Sequence, residues 1–585
     1  MNSFNIFNII KLSGGLAIFL YGMHILSEAL EKKSGGRLKK ILESLTSSPF
    51  KGLILGIGVT AIIQSSSATT VMVIGFVNSG IMSLSQSIGI IMGANIGTTV
   101  TPWLLSLAGI QGDSLFFNFL KPSSFSSVFA VFGAVSVMFT KSTAKKDIGT
   151  IFLGFAILMF GMEMMSEAVK PLADVPEFTS ILTLFSNPVL GVLTGTLLTA
   201  VIQSSSASVG ILQALSVTGG ITFASAIPII TGQNIGTCAT ALISSAGANK
   251  NAKRAAVIHL VFNVLGTILF LALFYILNSI INFEFVSRTV NAAQIAIIHT
   301  VFNVFATAIL FPFSKTLEKT AYLIVRDEKA MPQANILLDE RFLSTPSVAI
   351  IRAKELTDKM AAISLDMLFM ATDLICNYDE ERAKEITQLE EKVDMFEDEL
   401  GSYLVKLSGK NLSAQDSREI SKMLHSIGDF ERIGDHAINI CESAQEIRQK
   451  NIVFTDKARK EIEIISSAVK EILDMAVKAF IDDDTAIAEC IEPLEEVIDN
   501  LKAKLKDNHI DRVKKSEYTI EVGFVFSDII TDLERVADHC SNIAACIIQI
   551  AQDSFDMHRY LSSIKRYEEN SFKEQIEMYS EKYKV

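Results

Sequence analysis

The sequence predicts an all-α protein in two parts: a polytopic membrane domain of two inverted repeats with re-entrant hairpins, then a soluble domain of two three-helix bundles. Three observations carry this. Charge divides the chain: residues 1–320 hold 18 Lys+Arg and 11 Asp+Glu, whereas residues 321–585 hold 34 and 53. The sparsely charged part repeats itself, because a shift of 139 residues lays 12–101 on 151–240 without a gap. The charged part also repeats, at an offset of about 100, with apolar residues at helical spacing throughout.

The membrane part is read in order. A first helix near Phe7–Leu30 is followed by the basic "EKKSGGRLKK". Its counterpart, near Ile148–Val169, is preceded by "KSTAKK" and followed by the acidic "LADVPEF". Basic flanks stay on the cytoplasmic side, so the two copies point in opposite directions. "NKNAKR" at 249–254 places another loop inside, with a helix near Ala255–Asn278 crossing outward and one near Ala292–Phe313 returning. The expected bounds are 1–320 for the membrane domain, with repeat one at about 5–145, repeat two at about 146–280 and a final helix at about 290–313. A linker at 321–347, a soluble domain at 348–555 and a charged tail at 556–585 follow.

Within each repeat lies a polar cluster in apolar surroundings: "IIQSSSATTV" (Gln64, Ser65, Ser66, Ser67) and "VIQSSSASVG" (Gln203, Ser204, Ser205, Ser206). The apolar runs on either side of Gln64 are each shorter than the roughly 20 residues a spanning helix needs. A hairpin with the serines at its tip follows. Non-helical backbone at that depth survives only against protein or water, so two such tips near the midplane make a binding site. Serine hydroxyls, Gln amides and helix N-termini suit a small oxyanion; hydroxyl and carbonyl oxygens suit sodium. Packing glue between helices is the structural alternative. "GANIGTT" and "GQNIGTC" add Asn95, Thr98, Thr99, Asn234 and Thr237 as candidate ligands. "HLVFN" (His259, Asn263) and "HTVFN" (His299, Asn303) read as buried packing polars. His24 aligns with Glu163 and breaks the repeat symmetry.

The doubled QSSS within inverted repeats resembles the type II sodium/phosphate cotransporter family, over about residues 5–315. The resemblance implies sodium-coupled movement of inorganic phosphate, with Gln64–Ser67 and Gln203–Ser206 lining the site. The sequence departs from animal members in its short connection between repeats. It also lacks an intramembrane aspartate: Asp113, Asp147 and Asp174 all fall at predicted loops. Sodium stoichiometry is therefore not fixed by the resemblance.

In the soluble half, "LEEKVDMFEDEL" (389–400) recurs as "LEEVIDNLKAKL" (494–505), and "GDFERIGDHAINI" (428–440) as "TDLERVADHCSNI" (531–543). Each ERxxDH core puts two carboxylates on one helix face, Glu431 with Asp435 and Glu534 with Asp538. Asp394 and Asp499 on a neighbouring helix can join them around a metal. An Arg–carboxylate network stapling the bundle is the alternative. The tandem E-R-x-x-D-H-x-x-N motif, completed by Asn439 and Asn542, resembles PhoU-like regulatory proteins over about residues 345–555. That resemblance implies negative control of phosphate uptake and binding of iron or another divalent metal.

The expected function is sodium-coupled phosphate transport across the cytoplasmic membrane, with a cytoplasmic PhoU-like domain regulating it. Phosphate export, transport of another oxyanion and a membrane-bound phosphate sensor stay open. Expected partners are inorganic phosphate, sodium and the lipid bilayer; the oligomeric state, a homo-oligomer included, is left open. The acidic balance and lack of basic runs argue against nucleic acid. The absence of GxxxxGK[ST] argues against ATP-driven transport, and no nucleophile–base arrangement points to an enzyme. The six Cys form no CxxC pair and read as reduced thiols. No cleavable signal peptide is expected, since the first apolar run lacks a basic n-region.

Overall fold

A computed structural model describes residues 5–43, 48–107, 122–140, 142–326, 338–515, 520–551 and 569–585. The chain forms two compact units, 1–349 and 350–585. Six helices among the described residues are long and apolar enough to cross a membrane.

In the first unit, repeat one comprises α1 (Ile6–Glu43), α2 (Pro49–Ile63), α3 (Ser66–Asn78), α4 (Leu84–Gly97), α5 (Val100–Ser106) and α6 (Pro122–Phe139). Repeat two comprises α7 (Thr143–Val169), α8 (Pro176–Leu184), α9 (Pro188–Ile202), α10 (Ser205–Ser216) and α11 (Phe223–Ser244). Then come α12 (Lys250–Ile281), α13 (Ala292–Leu310) and α14 (Ser314–Ile324). The 139-residue shift places α2, α3 and α4 on α9, α10 and the first part of α11.

The opposite sense of the repeats is visible in one packing. A Cβ on Gly22 would lie 2.3 Å from the Leu158 nitrogen, and a Cβ on Gly161 2.3 Å from the Phe19 nitrogen. The two contacts are images of each other under the repeat. Lys11 pairs with Glu167 and Lys32 with Asp147, so partner numbers fall along α7 as they rise along α1. The helices run antiparallel, with backbones too close for any side chain between them. Asp147 therefore sits inside α7, not in the expected loop. Phe19, Leu26, Leu105, Leu158 and Ala207 form a buried cluster joining α1, α5, α7 and α10.

The region expected as a linker is partly structured. Helix α14 runs to Ile324, and residues 338–345 pack within the first unit. Asp113 lies outside the described residues, and Asp174 ends a 3-10 turn.

In the second unit, α15 (Pro346–Cys376, which starts in the first unit), α16 (Glu380–Ser408) and α17 (Ala414–Gln449) form one three-helix set. The next comprises α18 (Asp456–Asp482), the short α19 (Thr485–Glu489), α20 (Ile491–Lys514) and α21 (Ile520–Ala551). Helix α22 (Glu569–Lys582) follows. It is anchored by Lys582 on Glu471 at 2.7 Å, so the described end of the expected tail is docked.

Gly161→Val is expected to push α1 and α7 apart and cost about 1–3 kcal/mol. Gly58→Ala, where a Cβ meets nothing within 4 Å, is the neutral control. Thermal unfolding of both variants in detergent checks this.

Candidate anion and cation site

Each QSSS motif is a helix break. Helix α2 ends at Ile63, Gln64 takes the left-handed conformation (φ 59°), and extended Ser65 caps α3 by accepting from the Ala68 amide at 3.1 Å. The second copy repeats this: Gln203 has φ 58°, and Ser204 accepts from the Ala207 amide at 3.2 Å. A non-glycine residue held there costs roughly 1–2 kcal/mol. Glycine would relieve that cost at both tips, yet both carry glutamine. The caps leave first-turn amides of α3 and α10 without intrahelical partners. Ser66, Ser205 and Ser206 are buried beside them, and Ser67 is half-buried.

The tips differ in closure. Gln64 Oε1 accepts from Thr101 Oγ1 at 2.8 Å, and Thr60 Oγ1 donates to Thr69 Oγ1 at 3.0 Å. The equivalent positions in repeat two are Gln203, Thr240, Thr199 and Ser208. There Gln203 is exposed, and the hydroxyls of Thr240, Thr199 and Ser208 are buried without partners. The same bonds are made in one repeat and absent from the other. The tips share a neighbour in α1: Met23 lines a cavity of about 10 Å³ with Gln64 and Thr101, and Ser204 Oγ lies 3.9 Å from its sulfur.

The second motif pair is buried, and its polar groups are largely engaged. Thr98, Thr99 and Thr237 donate to Ala94, Ile96 and Gln233 carbonyls of their own chain segments, leaving hydroxyl lone pairs for a cation. Asn95 Nδ2 donates to the Ile91 carbonyl. Asn234 is held by "HTVFN": its Nδ2 donates to Asn303 Oδ1 at 2.6 Å, and its Oδ1 lies 3.1 Å from His299 Nε2. "HLVFN" contacts Cys238 through Asn263 Nδ2 at 3.4 Å. His24 pairs with Glu28 at 3.2 Å. Sequence reasoning missed Gln233, whose whole amide is buried and unpartnered. Its counterpart is Ala94, so matching the repeats hid it. It also missed Thr101 and the Thr60–Thr69 pair, ordinary residues whose role lies in where the fold brings them.

In the second unit the two ERxxDH helices, α17 and α21, meet crosswise. His436 Nδ1 lies 2.8 Å from Asp532 Oδ1, and His539 Nδ1 lies 2.9 Å from Asp429 Oδ1. Asn439 and Asn542 donate to the same two carboxylates, and the imidazole centroids are 5.7 Å apart. The histidines and asparagines thus tie the two repeats together, with Asp429 and Asp532 as partners that sequence reasoning did not single out.

The motif carboxylates meet cations of the protein. Arg432 lies near Glu431 and Asp435, Lys502 holds Glu534 at 2.7 Å, and Arg535 holds Asp538 at 3.0 Å. Acid still dominates. Burial and then Asp435 push Glu431 up; burial and then Asp394 push Glu390 up. Burial, with Glu492, Asp538, Asp499 and Glu496, pushes Glu495 up from 4.5 to about 8. These carboxylates fit a hard divalent cation in donor chemistry. Among the described residues, however, no three His, Cys, Asp or Glu are arranged to hold one. Glu431, Asp435, Asp394 and Glu534, Asp538, Asp499 are therefore not gathered into ligand sets here.

The Na+/Pi-cotransporter family matches residues 18–167 and 157–295, and the PhoU domain matches 357–444 and 462–547. The chain belongs to the Na+/Pi-cotransporter family and carries two PhoU domains. It is similar to YjbB of Escherichia coli (strain K12), provisionally named an inorganic phosphate export protein. The two are 21% identical over 92% of this chain and 97% of that one. It is 33% identical to the uncharacterized protein YqeW of Bacillus subtilis (strain 168), over 45% of this chain and 81% of that one. It is 38% identical to sodium-dependent phosphate transport protein 2A of Rattus norvegicus, over 17% of this chain and 16% of that one. The family makes this a membrane protein of transporter type and not an enzyme.

Glu495 predicts a pH effect. The folded protein keeps a proton that the unfolded chain releases between pH 4.5 and 8, so this group's contribution to stability falls as pH rises through that window. Glu495→Gln is expected to flatten that part of the pH dependence and to raise the thermal midpoint at pH 8. Unfolding scans of both proteins from pH 5 to pH 9 check this.

Proposed function

We propose that the protein couples inorganic phosphate movement to sodium through the two QSSS tips. The observation that carries this is the matched pair of capped helix breaks, internally hydrogen-bonded in repeat one and without those bonds in repeat two. Free amides at the starts of α3 and α10, with the hydroxyls of Ser66, Ser67, Ser205 and Ser206, recognise the anion. The unpartnered oxygens of Thr199, Ser208 and Gln233, with Thr237 and Asn234 nearby in the motif, supply the hard donors that sodium needs. Asn95, Thr98 and Thr99 provide the matching set in repeat one. Exchanging which repeat is closed alternates access to the site, as inverted-repeat transporters do.

The basic segments 31–40 and 249–254 favour a cytoplasmic placement of those loops, and so of the PhoU domains. PhoU domains joined to a transport domain fit regulation by phosphate supply. A second reading, export, is favoured by the likeness to YjbB along nearly the whole chain. Sulfate or arsenate transport and sensing without flux are the outcomes that ion competition and flux separate.

Labelled phosphate flux in proteoliposomes of known orientation, under inward and then outward sodium gradients, tests this. Flux following the sodium gradient is expected, and the faster direction identifies import or export. Ser66→Ala/Ser205→Ala is expected to remove flux while the protein stays folded. Wild-type flux in that variant would overturn the central site.

For the PhoU domains we propose a divalent cation at each acidic face, supported by the surplus acidity around Glu495 and Glu431. Manganese or ferrous iron is expected to raise the thermal midpoint at pH 7, an effect lost in Glu495→Gln/Asp538→Asn/Glu431→Gln/Asp435→Asn. No metal dependence of the wild-type midpoint would leave the charge network purely structural.

A further inference from the structure

The segment at 338–345 is too well built for a tether. Asp339 is 3% exposed and Phe342 is fully buried, although both precede the first helix of the PhoU-like half. Asp339 Oδ2 accepts from Asn78 Nδ2 at 2.7 Å, at the last residue of α3. Asn78 is bonded twice more: its Oδ1 accepts from the Asn249 amide at 2.8 Å, and its carbonyl accepts from Asn249 Nδ2 at 2.7 Å. The Phe342 ring packs on Phe76 with centroids 5.1 Å apart. A Cβ on Gly75 would lie 2.7 Å from that ring, so α3 is shaped to receive it. Arg341 then reaches the other repeat. Its Nε donates to the Ser244 carbonyl at 2.8 Å, at the end of α11, while its Nη1 pairs with Asp339 at 2.7 Å.

One short segment thus fastens the far end of α3, which starts at the first QSSS, to the far end of α11, which carries Asn234 and Thr237. The first belongs to repeat one and the second to repeat two. Alternation requires the two repeats to rearrange against each other, and the hairpin held is the one whose Gln64–Thr101 and Thr60–Thr69 bonds are made. We propose that residues 339–342 are a latch that brakes transport by stabilising the state with the first hairpin closed. The latch runs directly into α15 at Pro346, so the PhoU-like half is covalently placed to pull it free. The proposal rests on the transport reading above and adds its control element.

The test exploits the Asn78–Asp339 pair. Asn78→Asp keeps the acceptor for Asn249 but sets a carboxylate against Asp339. Asp339→Asn keeps the acceptor for the Arg341 amide at 2.9 Å but gives up the Arg341 Nη1 pair on its other oxygen, and the double swap rebuilds the bond to residue 78 with donor and acceptor exchanged. Initial phosphate flux is measured for the full chain in proteoliposomes, with size-exclusion profiles as a folding control and Ser66→Ala/Ser205→Ala as background. Asn78→Asp is expected to raise flux about five-fold, the ratio that one hydrogen bond is worth, and the swap to bring it back below Asn78→Asp, toward wild type. Flux in Asn78→Asp that equals or falls below a transporting wild type, with an intact profile, overturns the latch and leaves the transport reading standing. Flux at background in the wild type and every latch variant overturns both. Flux at background in the wild type that appears in Asn78→Asp supports the brake in its strongest form.

Discussion

A helix interrupted inside an apolar layer has loose N–H and C=O groups that no solvent can satisfy. The two QSSS breaks meet this constraint in the same way, and the rest of the first unit is arranged around them. A left-handed glutamine turns the chain, and a serine hydroxyl takes one amide of the new helix. Beside the remaining amides, Ser66, Ser205 and Ser206 are buried and Ser67 is half-buried. Helices α1 and α7 close on each other through Gly22 and Gly161, and Leu105 of α5 and Ala207 of α10 pack in one buried cluster with Phe19 and Leu158. On the proposed reading, a binding site is less an addition to the fold than a use of what the break leaves over.

On the proposed transport reading, the difference in internal bonding gives the site a direction at any one moment. Repeats with nearly the same polar residues have one hairpin internally bonded and the other with its hydroxyls waiting. The alternating access proposed above requires a second version in which the bonding is exchanged between the repeats. In the proposed latch, the Asp339–Asn78 contact, which lies outside the symmetric core, favours one version over the other.

Much of this was legible in the sequence. The helix breaks follow from arms too short to span, and the opposed repeats from basic flanks on opposite ends of matched helices. The closure difference was not legible, because Thr60 and Thr199, or Thr101 and Thr240, are the same residue in both copies; only the conformation separates them. Residues 338–345 carry one aromatic and no periodicity, so they read as a linker. Gln233 was hidden by an alanine at its matched position. In the second half the ERxxDH cores stood out, but their histidines find partners about 100 residues away, at aspartates that look like ordinary surface charge. Of the carboxylates read as metal ligands, Glu431, Asp435, Glu534 and Asp538 also meet Arg432, Lys502 and Arg535, contacts that the motif spacing does not reveal.

The crossed His436–Asp532 and His539–Asp429 pairs bear on the history of the molecule. In a symmetric homodimer, residue i of one copy meets j of the other, and j meets i. These pairs have that signature within a single chain. The two bundles therefore look like the halves of an ancestral dimer joined by duplication and fusion, each still completed by the other. A change to either aspartate is felt by the opposite bundle, so the halves can diverge only in step at this seam, while the acidic faces beyond it are free to specialise.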